Sequence, residues 1–395
     1  MTQTVAPATS RVQGAARVRV LHVITHLDHG GAQDNTLLTV AGLDHSAYVV
    51  DVAAGPGELE AYARTIAHDV RILHSLKRPL LDPGAIQTFQ QLAAMSRDYD
   101  IVHTHGSKAG VLGRLAARML HVPVVVHTVH GMPVNDFMGR TQRRILLAAE
   151  RTAARCADAI ICVCEENRQE ALDLRIAKPR QLRVVVSGID ERSVTAGVGA
   201  RVRAELRIPP DAPVVGSVTR LMEQKAPLDL IAAMRTVVEE RGDAHCMVAG
   251  EGPLYDAVIA AARDHARIHV LGYRDDIADI IAATDVAVYS SLWEGLGRAL
   301  TESVLAGRPV VATAVNGVPD LVRDGVTGYL VPPRDPALLA RRTLDVLALP
   351  DRGVAMGAAG AASVRGKYGV EQMVAGIDAT YRELLETKNV RVPPC

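Results

Sequence analysis

A chain of 395 residues is long enough for two ordinary domains, each with its own core. Its 44 basic and 44 acidic residues cancel, so no global field draws it to nucleic acid or an anionic membrane, and any anion site has to be local. Hydrophobic residues at 48% and charged residues at 22% fit a globular protein; no apolar run reaches 18 residues, and the first 14 lack the charged-then-apolar order of a signal peptide. The five cysteines form no framework: Cys162 and Cys164 fall on one face of a strand-like run, while Cys156, Cys246 and Cys395 are isolated, a pattern that fits a reducing cytoplasm.

Residues 1–16 read as a disordered tail, and the pattern Val18-Arg19-Val20-Leu21-His22-Val23-Ile24 as the first strand. It runs into His26-Leu27-Asp28-His29-Gly30-Gly31-Ala32-Gln33, after which Leu37, Leu38, Val40 and Leu43 mark a helix face. A strand, a glycine turn and a helix start make an anion-binding corner, but this loop is not G-x-G-x-x-G and so gives no dinucleotide reading. Further strands are expected at 48–53, 70–73, 101–105, 122–128, 159–164 and 183–186, with helices between them, including 83–96, 109–120 and 137–155. Strands alternating with helices imply a parallel sheet wrapped by helices, which binds ligands beyond the carboxyl ends of its strands.

That edge should receive His26, His29, His103, His105, Ser107, Lys108, His127 and His130, while His22, inside a strand, reads as a core histidine. The histidines lack carboxylate or cysteine partners at metal-ligand spacing, so no metal site is expected. Asp98-Tyr99-Asp100 has the D-x-D form used to hold metal-bound diphosphates, but it precedes a strand and so lies at the wrong end; it reads as a turn. The arginines between 137 and 155 read as a solvated face. Residues 193–200, small and glycine-bearing, are the expected linker.

The second half repeats the scheme. A strand at 213–219 leads to Arg220-Leu221-Met222-Glu223-Gln224-Lys225 and a helix opening at Pro227. His245 to Ala249 is a strand running into Gly250-Glu251-Gly252, and Val270-Leu271-Gly272 precedes Tyr273 and Arg274. Asp285 to Ser290 reads as a buried strand, followed by Trp293-Glu294-Gly295-Leu296-Gly297 and a helix from Arg298 that carries Glu302. Glycines let backbone approach a ligand closely, and the helix start favours an anion. Two acceptor-only carboxylates flanking that point suit sugar and ribose hydroxyls rather than phosphate.

Glu294-Gly-Leu-Gly-Arg-Ala-Leu-Thr-Glu302, with the strand that follows it, resembles the E-x7-E signature of the retaining glycosyltransferases of family 4. The resemblance extends over nearly all of the chain from Val18 to Glu386. It implies an α/β chain of the GT-B fold: two Rossmann-like, doubly wound parallel-sheet domains facing a central cleft, over 17–192 and 201–369, with a C-terminal helix (370–388) crossing back to the first domain.

By the same resemblance, Arg220 and Lys225 grip the donor diphosphate, Glu294 holds the donor sugar, and Glu302 the ribose. His130 orients the sugar from the first domain. Gly30, Gly31, Gly250, Gly252, Gly295, Leu296 and Gly297 line the donor, Tyr273 or Arg274 meets the base, and His105 and Lys108 are acceptor candidates. The family usually has glycine after the lysine, where this chain has Ala226.

The implied activity is metal-independent transfer of a sugar, with retention, from a nucleotide-diphosphate donor to a small-molecule or saccharide acceptor. A UDP-sugar is favoured and a GDP-sugar possible. No cofactor, nucleic acid or integral membrane segment is implied, and the location is cytoplasmic. Three alternatives remain at this point: a nucleotide-sugar 2-epimerase of the same fold, a non-catalytic nucleotide-sugar-binding protein, and a metal-dependent hydrolase built on the histidines.

Overall fold

A computed structural model describes residues 17–77, 84–134 and 138–390. The expected tail at 1–16, the helix start at Pro83, Phe137 and Cys395 lie outside the described residues. The first sheet contains β1 (Val18–Ile24), β2 (Tyr48–Ala54), β3 (Asp69–Ile72), β4 (Ile101–His105), β5 (Val124–Val129), β6 (Ala159–Cys162) and β7 (Leu182–Val184), in the order 3-2-1-4-5-6-7. The second contains β8 (Val214–Val218), β9 (His245–Ala249), β10 (Ile268–Gly272), β11 (Val286–Tyr289), β12 (Val310–Thr313) and β13 (Gly328–Val331), in the order 10-9-8-11-12-13. Every named pairing is parallel. Helices cover both faces of a parallel sheet, so its central strands are apolar along their length. β4, β5 and β11 are buried at every residue.

Strand order fixes where a ligand can sit. The direction of winding reverses between β1 and β4 in the first sheet and between β8 and β11 in the second, and open parallel sheets bind ligands beyond the carboxyl ends of such strands. The loops leaving those four strands carry Gly30 and Gly31, Gly106, Arg220 and Lys225, and Glu294 to Gly297.

The helix Val370–Thr387 returns to the first domain, where Met373, Ile377, Tyr381, Leu384 and Leu385 join the core over β1, β2 and β5. Tyr48 Oη donates to Asp378 on this helix at 2.6 Å. A separate cluster joins Val163, Cys164, Ile189 and Val194 to Leu296, Leu300, Val318 and Tyr368, so apolar contacts cross between the two halves beside the cleft.

Two local expectations change. The stretch read as a linker is helical over Glu191–Thr195 and again from Gly199, with the Asp190 carboxylate capping the first helix through the Arg192 and Ser193 amides. Its glycines serve contact: a Cβ on Gly197 or Gly199 would overlap the backbone at 278–279 or 282–283. Cys164 lies past the end of β6, where its thiol accepts the Asn167 N–H and caps the helix Glu165–Asp173. As expected, Asp98-Tyr99-Asp100 forms a turn at the amino end of β4. Asp100 accepts the Arg19 amide at 2.9 Å and Tyr99 Oη donates to Asp51 at 2.7 Å.

Candidate active site

Two helix N-termini meet in the cleft. The helix Gly31–Gly42 follows Gly30, and the helix Arg298–Leu305 follows Gly297, which sits at φ +80°; neither start has a side-chain cap. Their first amides are therefore available, and the helix dipoles add positive potential at the same place. The two starts adjoin: a Cβ placed on Gly31 would lie 3.7 Å from that of Arg298. The Arg298 guanidinium spans the junction, 3.5 Å from Asp34 of the first helix and 2.9 Å from Glu302 of its own. Burial raises the Glu302 carboxyl above its usual range, and Arg298 opposes that shift.

Glu294 is buried and held from three sides. Lys225 Nζ pairs with its Oε1, Ser291 Oγ donates to the same oxygen at 2.6 Å, and its amide donates to Asn316 Oδ1 at 2.9 Å. Arg220 differs. Its side chain is exposed and has no hydrogen bond or ion pair among the described residues, and its Nη1 lies 3.8 Å from where a Cβ on Gly30 would stand. Its loop is fixed by the neighbouring one, with Thr219 N donating to Ala249 O and Leu221 N to Glu251 O, each at 2.9 Å. Gly250, at φ +137°, allows this approach, since a Cβ there would overlap the Thr219 carbonyl.

The domains also touch beyond the helix starts. His29 Nε2 and Tyr273 Oη are 3.0 Å apart across the cleft, and a Cβ on Gly295 would overlap the His130 carbonyl. Cys164 Sγ donates to the Gly295 carbonyl at 3.6 Å.

Residues 29–193 match the profile of Glycosyltransferase Family 4, and residues 212–348 that of Glycosyl transferases group 1. A D-inositol 3-phosphate glycosyltransferase of Geodermatophilus obscurus is 30% identical over 94% of this chain and 90% of its own length. The chain belongs to glycosyltransferase family 4. A second D-inositol 3-phosphate glycosyltransferase, from Thermobispora bispora, is 28% identical over 96% of this chain and 98% of its own. The UDP-Gal:alpha-D-GlcNAc-diphosphoundecaprenol alpha-1,3-galactosyltransferase of Escherichia coli is 32% identical over 59% of this chain and 62% of its own length.

Among solved structures, Anabaena Alr3699/HepE in complex with UDP and glucose superposes with a TM-score of 0.80 at 19% identity, covering 93% of this chain and all of that one. Sucrose-phosphate synthase of Thermosynechococcus elongatus gives 0.80 at 21%, covering 94% and 100%. These two establish the GT-B fold. The protein is thus a glycosyltransferase, and no helix among its described residues is long and apolar enough to cross a membrane.

In this family 4 transferase, Gly30, Gly31, Arg220, Lys225, Glu294, Gly295, Leu296, Gly297, Glu302, His130 and Tyr273 gather where the domains meet. Leu296 is buried in the cluster that joins them. Five other candidates, Gly250, Gly252, Arg274, His105 and Lys108, do not hold the expected places. Arg274 has every guanidinium nitrogen engaged by Asp276 and Glu205 at 2.7–3.0 Å, so four of its five N–H donors are already taken and the group is held against those carboxylates. Lys108 is buried with its ammonium 2.6 Å from the Ser75 carbonyl, and His105 is fully buried, so neither reaches an acceptor. Gly252, like Gly250, packs against the loop that carries Arg220: a Cβ on it would stand 2.5 Å from the Leu221 carbonyl oxygen.

Ala226, in place of the usual glycine, adopts the left-handed conformation at φ +43° and hydrogen-bonds Ser290 through its carbonyl at 3.0 Å. The turn is kept, at the strain an alanine Cβ brings to that region.

Sequence reading passed over Asn316, Ser291 and Asp34. Asn316 stands in an Asn-Gly turn and is itself at φ +41°. A polar residue that tolerates the left-handed region, after the strand next to β11, was the available signal. Among the described residues one group of three potential metal ligands, His22, His103 and His105, brings its ring nitrogens within 4.8 Å of one another.

Proposed function

We propose that this glycosyltransferase moves a sugar, with retention, from a nucleotide-diphosphate donor to a small-molecule or saccharide acceptor in the cytoplasm, without a metal ion. A UDP-sugar is the favoured donor and a GDP-sugar the second choice. The observation that carries this reading is the convergence of two uncapped helix starts on one exposed, unpaired arginine, a site of concentrated positive potential at a switch point of both sheets. The names of the Escherichia coli galactosyltransferase and the Anabaena complex, both mentioning UDP, agree with the donor choice.

The diphosphate lies over the amides after Gly30 and Gly297, neutralised by Arg220 and Lys225. Lys225, shared with Glu294, ties the diphosphate clamp to the carboxylate that takes the sugar hydroxyls. Glu302 accepts the ribose hydroxyls, and Tyr273, half exposed beside His29, meets the base. As the anomeric carbon–oxygen bond to phosphate breaks, the acceptor oxygen bonds to the same carbon from the same face. Its proton passes to the departing phosphate oxygen, so no protein nucleophile is required. The contact of residues 130–131 with Gly295 closes the site against water.

Incubation of the purified protein with UDP-glucose, UDP-galactose, UDP-N-acetylglucosamine and GDP-mannose, against inositol phosphate and saccharide acceptors in EDTA, tests this. The expected outcome is release of one nucleoside diphosphate and, by proton NMR, a glycoside with the anomeric configuration of the donor. An inverted product, or activity only with added divalent metal, contradicts the proposal.

A further inference from the structure

Behind His130 the first domain contains a line of hydrogen-bonded rings. His130 Nε2 is 3.1 Å from His105 Nδ1, and His105 Nε2 is 3.0 Å from His22 Nδ1. His22 Nε2 is 3.4 Å from Tyr381 Oη, which is 2.6 Å from His103 Nδ1, and His103 Nε2 is 2.7 Å from Thr128 Oγ1. The rings sit on adjacent central strands, His22 on β1, His103 and His105 on β4, Thr128 on β5, and Tyr381 reaches them from the C-terminal helix. His22, His103, His105, Thr128 and Tyr381 are all buried to 2% exposure or less. Burial pulls the His130 pKa to about 4 and the His22 pKa to about 3, and lowers those of His103 and His105 well below the usual value, so near neutral pH each ring carries one N–H.

A line of neutral imidazoles and one phenol has two polarities, because fixing one proton fixes the next. If protons point away from His130, His103 donates to Thr128, and the buried Thr128 hydroxyl, for which the described residues offer no other partner, is left with its own proton unaccepted by the protein. A buried unsatisfied donor costs about 1–3 kcal/mol. With the opposite polarity Thr128 donates to His103, His103 Nδ1–H to Tyr381, Tyr381 to His22, His22 Nδ1–H to His105 and His105 Nδ1–H to His130. Every proton in the line is then accepted.

We propose that His103, His22 and His105, with Tyr381 and Thr128, are positioning residues that lock His130 as the Nδ1–H tautomer, so that it presents a hydrogen-bond donor, not an acceptor, to the sugar. This rests on the donor-site reading for what His130 meets, but not for the tautomer itself. The line ends at a buried threonine, so it sets a polarity and exports no proton. Tyr381 also makes the setting depend on docking of the C-terminal helix, which leaves the second domain through residues 369–370. A metal at His22, His103 and His105 would have to displace the bonds that join these rings.

The test is ring nitrogen NMR of the full chain labelled with ¹⁵N-histidine, in the free protein at neutral pH. All four rings are expected as Nδ1–H, the form free histidine disfavours, and an Nε2–H signal at His130 overturns the proposal. Thr128→Val and Tyr381→Phe remove a hydroxyl at the end and in the middle while keeping side-chain shape. Each is expected to admit Nε2–H at His130 and to lower kcat/KM by about five-fold, the worth of about one hydrogen bond. If both variants melt within a few degrees of the parent and keep the parent tautomer at His130, the line does not set it. Stoichiometric metal bound through His22, His103 and His105 also overturns it. Because the tautomers are read without substrate, failure of UDP to bind would count against the donor site and leave this result standing.

Discussion

Arg220→Ala lowers turnover by about 10²–10³-fold, the cost of removing one fixed donor from a developing oxyanion, and leaves the melting temperature unchanged. The two halves of this expectation have separate causes. Activity falls because Arg220 is a cation near the uncapped helix starts with no carboxylate partner among the described residues, whereas Lys225 is shared with Glu294. Stability holds because the side chain is exposed and its loop is carried by backbone hydrogen bonds to the strand exit at 249–251. Steady-state rates and a thermal melt on the same preparation check both. A variant within a few-fold of the parent rate would remove the diphosphate clamp from the account.

Arg114→Met destabilises the fold by about 3–5 kcal/mol, the cost of stranding a buried charge, or about 10 °C in Tm for domains of this size. Arg114 is fully buried on the helix Ser107–Met119, donating to Glu150 at 2.6 Å and to the Gly110 carbonyl at 2.7 Å. Removing the guanidinium leaves Glu150 inside without a counter-charge. The double variant Arg114→Met, Glu150→Leu should recover most of the loss, because a well-packed apolar pair substitutes for a buried ion pair at little or no cost. A single variant as stable as the parent would mean that water reaches Glu150. The pair lines, with His127, Thr128 and His130, a cavity of about 70 Å³, so the single variant should also loosen the segment that meets Gly295.

The strands and their order of use were legible because parallel strands buried on both faces leave unbroken apolar runs, and glycine turns follow the functional ones. Glu294, Glu302, Arg220 and Lys225 were singled out with the help of the family resemblance, and each lies in the loop or helix that follows a strand. Contacts between distant segments leave no such trace. Nothing local distinguishes Arg274, tied to Glu205 69 residues away, from a free arginine after a strand. Lys108 looks like an edge cation until the Ser75 carbonyl is found beneath it. The glycines at 197 and 199 spell a linker in composition, and only the backbone of another helix shows them to be packing positions. The histidines were visible as a group, but the line they form depends on Tyr381, which comes from the far end of the chain.

Thermal unfolding with UDP in EDTA probes the proposed metal-free nucleoside diphosphate site between the domains. UDP at a hundred times its dissociation constant should add about 2.7 kcal/mol, a shift of several degrees that magnesium does not enlarge and that Arg220→Ala diminishes. No shift with UDP, GDP or ADP, or a shift that appears only with the metal, would contradict the account.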